Sequence, residues 1–155
     1  MLMYMQFLRE GPCRHLRTGI IALVLIGFPP AISAGGSGET LENRLDRFYQ
    51  DVPQVIEPAE VNQMILNGTI PDDVYLLDVR SGEEWTVSHL PEAELIPFDG
   101  FDPSGIDHIP HDARIILYCA VGRRSSAVGE MLRDAGYADV WDMYGGILLW
   151  AERGY

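Results

Sequence analysis

Cys119 stands at an abrupt change of pattern in RIILYCAVGRRSSAVGEML, residues 114–132. Before it runs an unbroken apolar stretch. After it come a short turn holding Gly122, Arg123 and Arg124, and then an amphipathic pattern. These residue types in this order suggest one chemistry. Glycine permits a backbone turn that other residues resist. Successive N–H groups of such a turn, with the unpaired ones of a helix's first turn, make an anion cradle that the helix dipole strengthens. A thiol held there is expected to be thiolate in larger part at neutral pH than a free one. Ala120 and Val121 contribute only backbone groups, so selectivity falls to the two cations. Arg123 is expected to face substrate and Arg124 to help hold the loop, with Ser125 closing it. An inert core cysteine is the other reading of a lone thiol, but it would need neither the glycine turn nor the arginines.

Other residues qualify the picture. Asp78 and Arg80 close the apolar run DVYLLDVR. They read either as groups that position the loop or as a surface ion pair worth under about 1 kcal/mol. Glu83 and Glu84 fall in the first turn of a short helix, where carboxylates are favourable in any case. His108 and His111, flanked by Asp107 and Asp112, are spaced so as to admit a metal. No cysteine or third histidine lies nearby, so a solvated loop is the plainer reading. No metal and no cofactor is expected. Trp85, Trp141 and Trp150 belong most simply to the core or its margins.

The elements that must position the thiol follow from periodicity. ETLENRLDRFYQD places Leu41, Leu45 and Phe48 at helical spacing, which predicts a short helix docking on the domain. QVIE is a strand, and PAEVNQMILNG a helix with Pro58 in its first turn and Gly68 as its stop. DVYLLDVR is a second strand, SGEEWTVSH a short helix capped by Ser81, and AELIPF a third strand. GIDHIPHDA reads as loop or irregular helix. RIILYC is the fourth and most apolar strand. The helix after it runs to Tyr137, with Ala127, Val128, Met131, Leu132 and Ala135 on one side and Gly136 at its end. ADVWDMYGG and ILLWAERGY give a fifth strand and a closing helix. Apolar strands alternating with helices mean a mostly parallel sheet covered on both faces. In such folds ligands bind outside the carboxyl ends of the strands, where Cys119 falls.

With 155 residues the chain supports one well-buried core. Its net charge is −12 and it contains no lysine, which argues against a nucleic-acid footprint. Residues 1–34 read as a secretory signal peptide. Arg9, Arg14 and Arg17 precede the apolar core IIALVLIGF, and Pro29, Pro30 and small residues follow it. The apolar run stops well short of the ~20 residues of a spanning helix. Cleavage near Ser33 or Ala34 is expected to leave an exported, periplasmic protein with no stable membrane span. Cys13 leaves with the leader, so Cys119 is the only cysteine of the mature chain. An odd cysteine in an exported protein is intermolecular or reactive. Residues 35–53 then form a linker and the short helix, and 54–155 the domain.

Three stretches in order carry a family resemblance. CAVGRRS is similar to the active-site loop of the rhodanese family, with glycine three and arginine five residues after the cysteine. YLLDVRSGEEWTVSHLPEAELIPF resembles its N-terminal motif, with Glu92 where the family commonly has glycine. GYADVWDMYGGILLWAERGY resembles its C-terminal motif of paired glycines and a following tryptophan. The resemblance implies an α/β, three-layer fold of about five mostly parallel strands. It also implies a sulfurtransferase that carries a sulfane sulfur as a persulfide on Cys119. The donor would be thiosulfate or a similar small anion, and the acceptor cyanide, a thiol or a protein. Ala120 through Ser125 would bind substrate, and Asp78 and Arg80 support the loop. Two rivals stay open. A non-catalytic binding or relay module is one, although inactive members generally lack the cysteine. A cysteine phosphatase or arsenate reductase is the other, although such loops put five residues between cysteine and arginine where this one has four.

Overall fold

The computed structural model describes residues 39–68 and 70–155; the leader read at residues 1–34, Cys13 within it and the GGSG stretch lie outside the described residues. In chain order come α1 (Leu41–Tyr49), β1 (Val55–Ile56), α2 (Pro58–Leu66), β2 (Val74–Asp78), α3 (Gly82–Val87) and β3 (Glu94–Leu95). A 3₁₀ turn at Pro103–Ile106 precedes β4 (Arg114–Tyr118), α4 (Arg123–Asp134), β5 (Asp139–Met143) and α5 (Gly146–Glu152). The strands form one sheet in the order β1-β5-β4-β2-β3, with every pairing parallel. Among the described residues no helix is long and apolar enough to cross a membrane.

The central strand β4 explains why the sheet needs cover on both faces. Its residues alternate sides, as strand geometry requires. Ile115 and Leu117 pack with Val128 and Leu132 of α4 and with Ile106 and Ile109. Ile116 and Tyr118 pack with Ile56, Val61 of α2, Met143 and Ile147 of α5. Each such side chain contributes roughly 1.5–3 kcal/mol when fully buried. A third, smaller cluster of Leu45, Tyr49 and Leu149 docks α1 on the domain.

The α4 expectation needs two corrections. The helix ends at Asp134, not Tyr137. Its buried face is Ser125, Val128, Gly129 and Leu132, while Met131 is 43% exposed and Ala135 is also at the surface. A Cβ on Gly129 would meet Arg133 and Leu117, and Met131 falls off the face that Ser125, Val128, Gly129 and Leu132 share. The strands predicted at QVIE and AELIPF shrink to two residues each, because both lie at sheet edges with a partner on one side only. Glu92 adopts a left-handed φ of 63°, the conformation that suits the glycine common at that position.

The topology creates the crevice. From β2 the chain moves to one sheet edge through β3, and from β4 it moves the other way through β5. The adjacent ends of β2 and β4, with Asp78 opposite Tyr118, are therefore where connections diverge and a ligand can enter.

Candidate active site

Cys119 follows the last residue of β4, and α4 begins four residues later at Arg123. Gly122 caps that helix with φ 106°, a conformation that the space around it also demands. A Cβ there would collide with the Tyr49 hydroxyl. The turn aims the Gly122 N–H at Cys119 Sγ, 3.1 Å away. The buried Ser125 hydroxyl lies 3.6 Å from the same sulfur and donates to Gly122 O at 3.0 Å. Cys119 is only 1% exposed, as an inert core cysteine would be. The donors converging on its sulfur at a helix N-terminus distinguish it, because an apolar site would supply none. Val121 and Arg123 are exposed, Ala120 is half-buried, and Gly122 is buried.

The two arginines differ sharply. Arg124 donates through both terminal nitrogens to Glu84 of α3, at 2.7 and 2.8 Å. Glu84 in turn accepts from the Ser81 N–H at 3.1 Å, completing a reciprocal cap with the Ser81 hydroxyl. The Arg124 pairing, with the Ser81 bonds, holds the Glu84 carboxyl down at about 2. Glu84 pushes the Arg124 guanidinium further up, and Cys119 adds to this. Arg123, one residue earlier, points into solvent. Arg124 is thus paired with α3, whereas Arg123 is exposed at the rim of the turn.

Asp78 and Arg80 are not a surface pair. They are 0% and 5% exposed. Arg80 grips the Asp78 carboxylate through Nε and Nη2, at 2.9 and 2.6 Å, and donates from Nη2 to Ser88 O at 2.6 Å. Its guanidinium lies 5.7 Å from the Tyr118 ring centre, and the Tyr118 hydroxyl accepts from Leu90 N–H. The cluster anchors the end of α3 and the residues after it. Among the described residues the pair's further side-chain hydrogen bond goes to Ser88 and not to the 119–125 turn.

The back of the loop is closed by residues that sequence reasoning did not single out. The Tyr49 hydroxyl donates to Met143 O and accepts from Gly145 N–H, both at 3.1 Å. Burial, then nearby Asp142, raise its pKa. The paired glycines let the chain press on the loop's base. Ile147 N–H and Leu148 N–H donate to Cys119 O and Ala120 O at 2.9 and 3.1 Å, and a Cβ on Gly146 would strike Cys119 O. Asp142 on β5 is 3% exposed, and burial pushes its carboxyl up to about 7. Glu84 was legible as a first-turn carboxylate but not as a partner of Arg124. Asp142 was visible as an acid inside a strand, and Tyr49 had no local signal.

His108 and His111 part company. His108 Nε2 lies 3.1 Å from Glu94 Oε2, while the His111 ring stacks on Tyr137. Among the described residues no three histidine, cysteine or acidic side chains gather as a ligand set.

Residues 57–153 match the family model of the rhodanese-like domain. The chain is similar to a probable adenylyltransferase/sulfurtransferase, MoeZ, of Mycobacterium tuberculosis: 32% identical over 63% of this chain and 24% of that protein. It is 34% identical to a sulfurtransferase of Allochromatium vinosum, over 54% of this chain and 77% of that one. The chain thus spans about a quarter of the first relative and most of the second. Among solved structures, a rhodanese-related protein from Thermoplasma volcanium superposes with a TM-score of 0.55 at 27% identity, covering 66% of this chain and 94% of that one.

Proposed function

Because the chain belongs to the rhodanese-like domain family, we propose that it is a sulfurtransferase whose Cys119 carries the sulfur as a persulfide. One observation supports this most: Cys119 Sγ faces the Gly122 N–H at 3.1 Å at the start of α4. That donor and the helix end favour a negative sulfur before and after transfer. The Cys119 thiolate attacks the outer sulfur of thiosulfate or a similar donor. A sulfur–sulfur bond forms to Cys119, the bond to the sulfonate sulfur breaks, and its electron pair leaves with sulfite. A thiolate or cyanide acceptor then takes the outer sulfur and returns the Cys119 thiolate. A Cys119 that reacts as the thiolate needs no general base. Arg123 draws the anionic donor toward a molecule that is acidic overall.

The phosphatase reading is weakened by the Arg124–Glu84 pair, which engages both terminal guanidinium nitrogens that would grip an oxyanion. The relay reading survives as a choice of acceptor, since a protein thiol could take the persulfide sulfur.

The basic, apolar and small-residue pattern of residues 1–34 supports export, so the test starts from protein recovered from a periplasmic extract. Its N-terminus should fall near residue 34 or 35. Thiosulfate alone should release one sulfite per chain and add the mass of one sulfur, and Cys119→Ala should abolish both. Full sulfite release from Cys119→Ala would sink the assignment.

A further inference from the structure

Ser125 lies wholly inside the protein, yet its hydroxyl has two acceptors to choose between. It is the third residue of α4, and its Oγ lies 3.0 Å from Gly122 O and 3.6 Å from Cys119 Sγ. The carbonyl does not depend on it, because Gly122 O also accepts from the Ser126 N–H at 2.9 Å. A buried carbonyl that keeps one partner tolerates the loss of another. The sulfur faces the Gly122 N–H at 3.1 Å, a backbone donor with a fixed direction. The Ser125 hydroxyl, by contrast, turns about its Cβ–Oγ bond.

The charge on the sulfur decides between the two acceptors. A hydroxyl has a single proton to donate. Beside a neutral sulfur, the shorter contact to the carbonyl is the better one. Beside a sulfur anion, the bond to sulfur becomes charge-assisted and gains roughly twofold in strength. That charge is not constant through the proposed reaction. When the Cys119 thiolate takes the outer sulfur of thiosulfate, the charge leaves Sγ for the new terminal sulfur. When cyanide then attacks the terminal sulfur, a carbon–sulfur bond forms and the sulfur–sulfur bond breaks. Its electron pair returns to Sγ as thiolate, and thiocyanate departs. A donor on Sγ therefore favours the second step, in which Sγ is the leaving group, and not the first, in which Sγ gives up its charge.

We propose that Ser125 is a catalytic residue of the second half-reaction: its hydroxyl turns from Gly122 O to Cys119 Sγ as the sulfur is handed on. This rests on the reading that Cys119 carries the persulfide. The Gly122 N–H holds the sulfur throughout, and Ser125 adds its proton only while Sγ is charged.

The test measures the two half-reactions separately in the whole protein at about pH 9, above the ordinary cysteine value. Loading is the rate of sulfite release from thiosulfate alone in a single turnover. Discharge is the rate of thiocyanate formation when cyanide meets loaded protein freed of thiosulfate. Ser125→Ala should slow discharge about tenfold or more and leave loading within about twofold of wild type. Ser125→Thr keeps the hydroxyl and should discharge near the wild-type rate. Equal slowing of both steps in Ser125→Ala marks a merely structural role and overturns the proposal, as does an unchanged discharge rate. A folded Ser125→Thr that discharges as slowly as Ser125→Ala overturns it too. Ser125→Gly removes the same hydroxyl without adding bulk, and takes the place of Ser125→Ala if that variant does not fold. Failure of the sulfurtransferase reading looks different: wild type then releases no sulfite and gains no sulfur, and the two readings fall together.

Discussion

At the scale of single residues, the loop separates two neighbouring cations by what each one touches. Arg124 is fastened to Glu84 and orders the start of α4, whereas Arg123 remains at the rim. Both are charged, so only their partners distinguish holding from attracting. Glu84→Gln should leave the protein folded, because a pair about one-third exposed contributes no more than about 1 kcal/mol. It should nevertheless lower sulfite-forming kcat about five- to tenfold by loosening the loop. Arg123→Ala should instead raise the thiosulfate KM with kcat nearly unchanged. Steady-state kinetics on both variants checks this, and equal, negligible effects would remove the proposed division.

Among the elements, α1 is the least expected participant. It lies before the residues that match the family, yet its last residue, Tyr49, ties together Met143 O and Gly145 N–H under the Cys119 turn and fills the space beside Gly122. Tyr49→Phe keeps the ring and strands two buried backbone groups, so it should cost about 1–3 kcal/mol. Tyr49→Ala also opens a cavity and should cost about 3–5 kcal/mol. Urea unfolding measures both. Sulfite release should fall with each substitution even where the protein remains folded, because the 143–148 turn supports the carbonyls of Cys119 and Ala120. Unchanged turnover in a folded Tyr49→Phe would reduce α1 to a stabilising strap. The helix α3 works similarly from the other side. The buried Asp78–Arg80 pair fixes its end, and Glu84 passes that constraint to Arg124.

For the whole molecule, the carboxyl behind the thiol has a consequence for stability. Burial raises the folded-state pKa of Asp142 to about 7, above its unfolded value. The fold therefore binds a proton that the unfolded chain has released, and this contribution is complete at acid pH and lost as pH rises through 7. Stability from this group should fall by up to about 4 kcal/mol between pH 4 and 8. Glu84 acts in the opposite sense in a lower window. With its folded pKa near 2, its contribution is present above the unfolded carboxylate value and lost as pH falls toward 2. Thermal unfolding of wild type and Asp142→Asn across pH 4–8 should show a decline that the variant flattens. Parallel curves would mean that the carboxyl is not held neutral.

Local pattern determined much of this protein by itself. The apolar runs of β2, β4 and β5 and the amphipathic spans between them required a parallel sheet covered on both faces, because backbone periodicity decides which side chains can be buried. The CAVGRRS order, with its thiol, glycine and cations within seven residues, marked the site through contacts that are local in the chain. Other features depended on which distant segments meet. Glu84 and Arg124 are 40 residues apart, and Tyr49 and Gly145 are 96 apart. The inward-facing side of α4 was legible in part: Val128 and Leu132 are buried as expected, while Met131 falls outside the face they share with Ser125 and Gly129. Whether an ion pair such as Asp78–Arg80 is buried, or a carboxyl such as Asp142 is sealed from water, depends on the packing above and below the sheet. Only the tertiary structure supplies that packing, because desolvation is a property of what surrounds a group and not of the residues beside it in sequence.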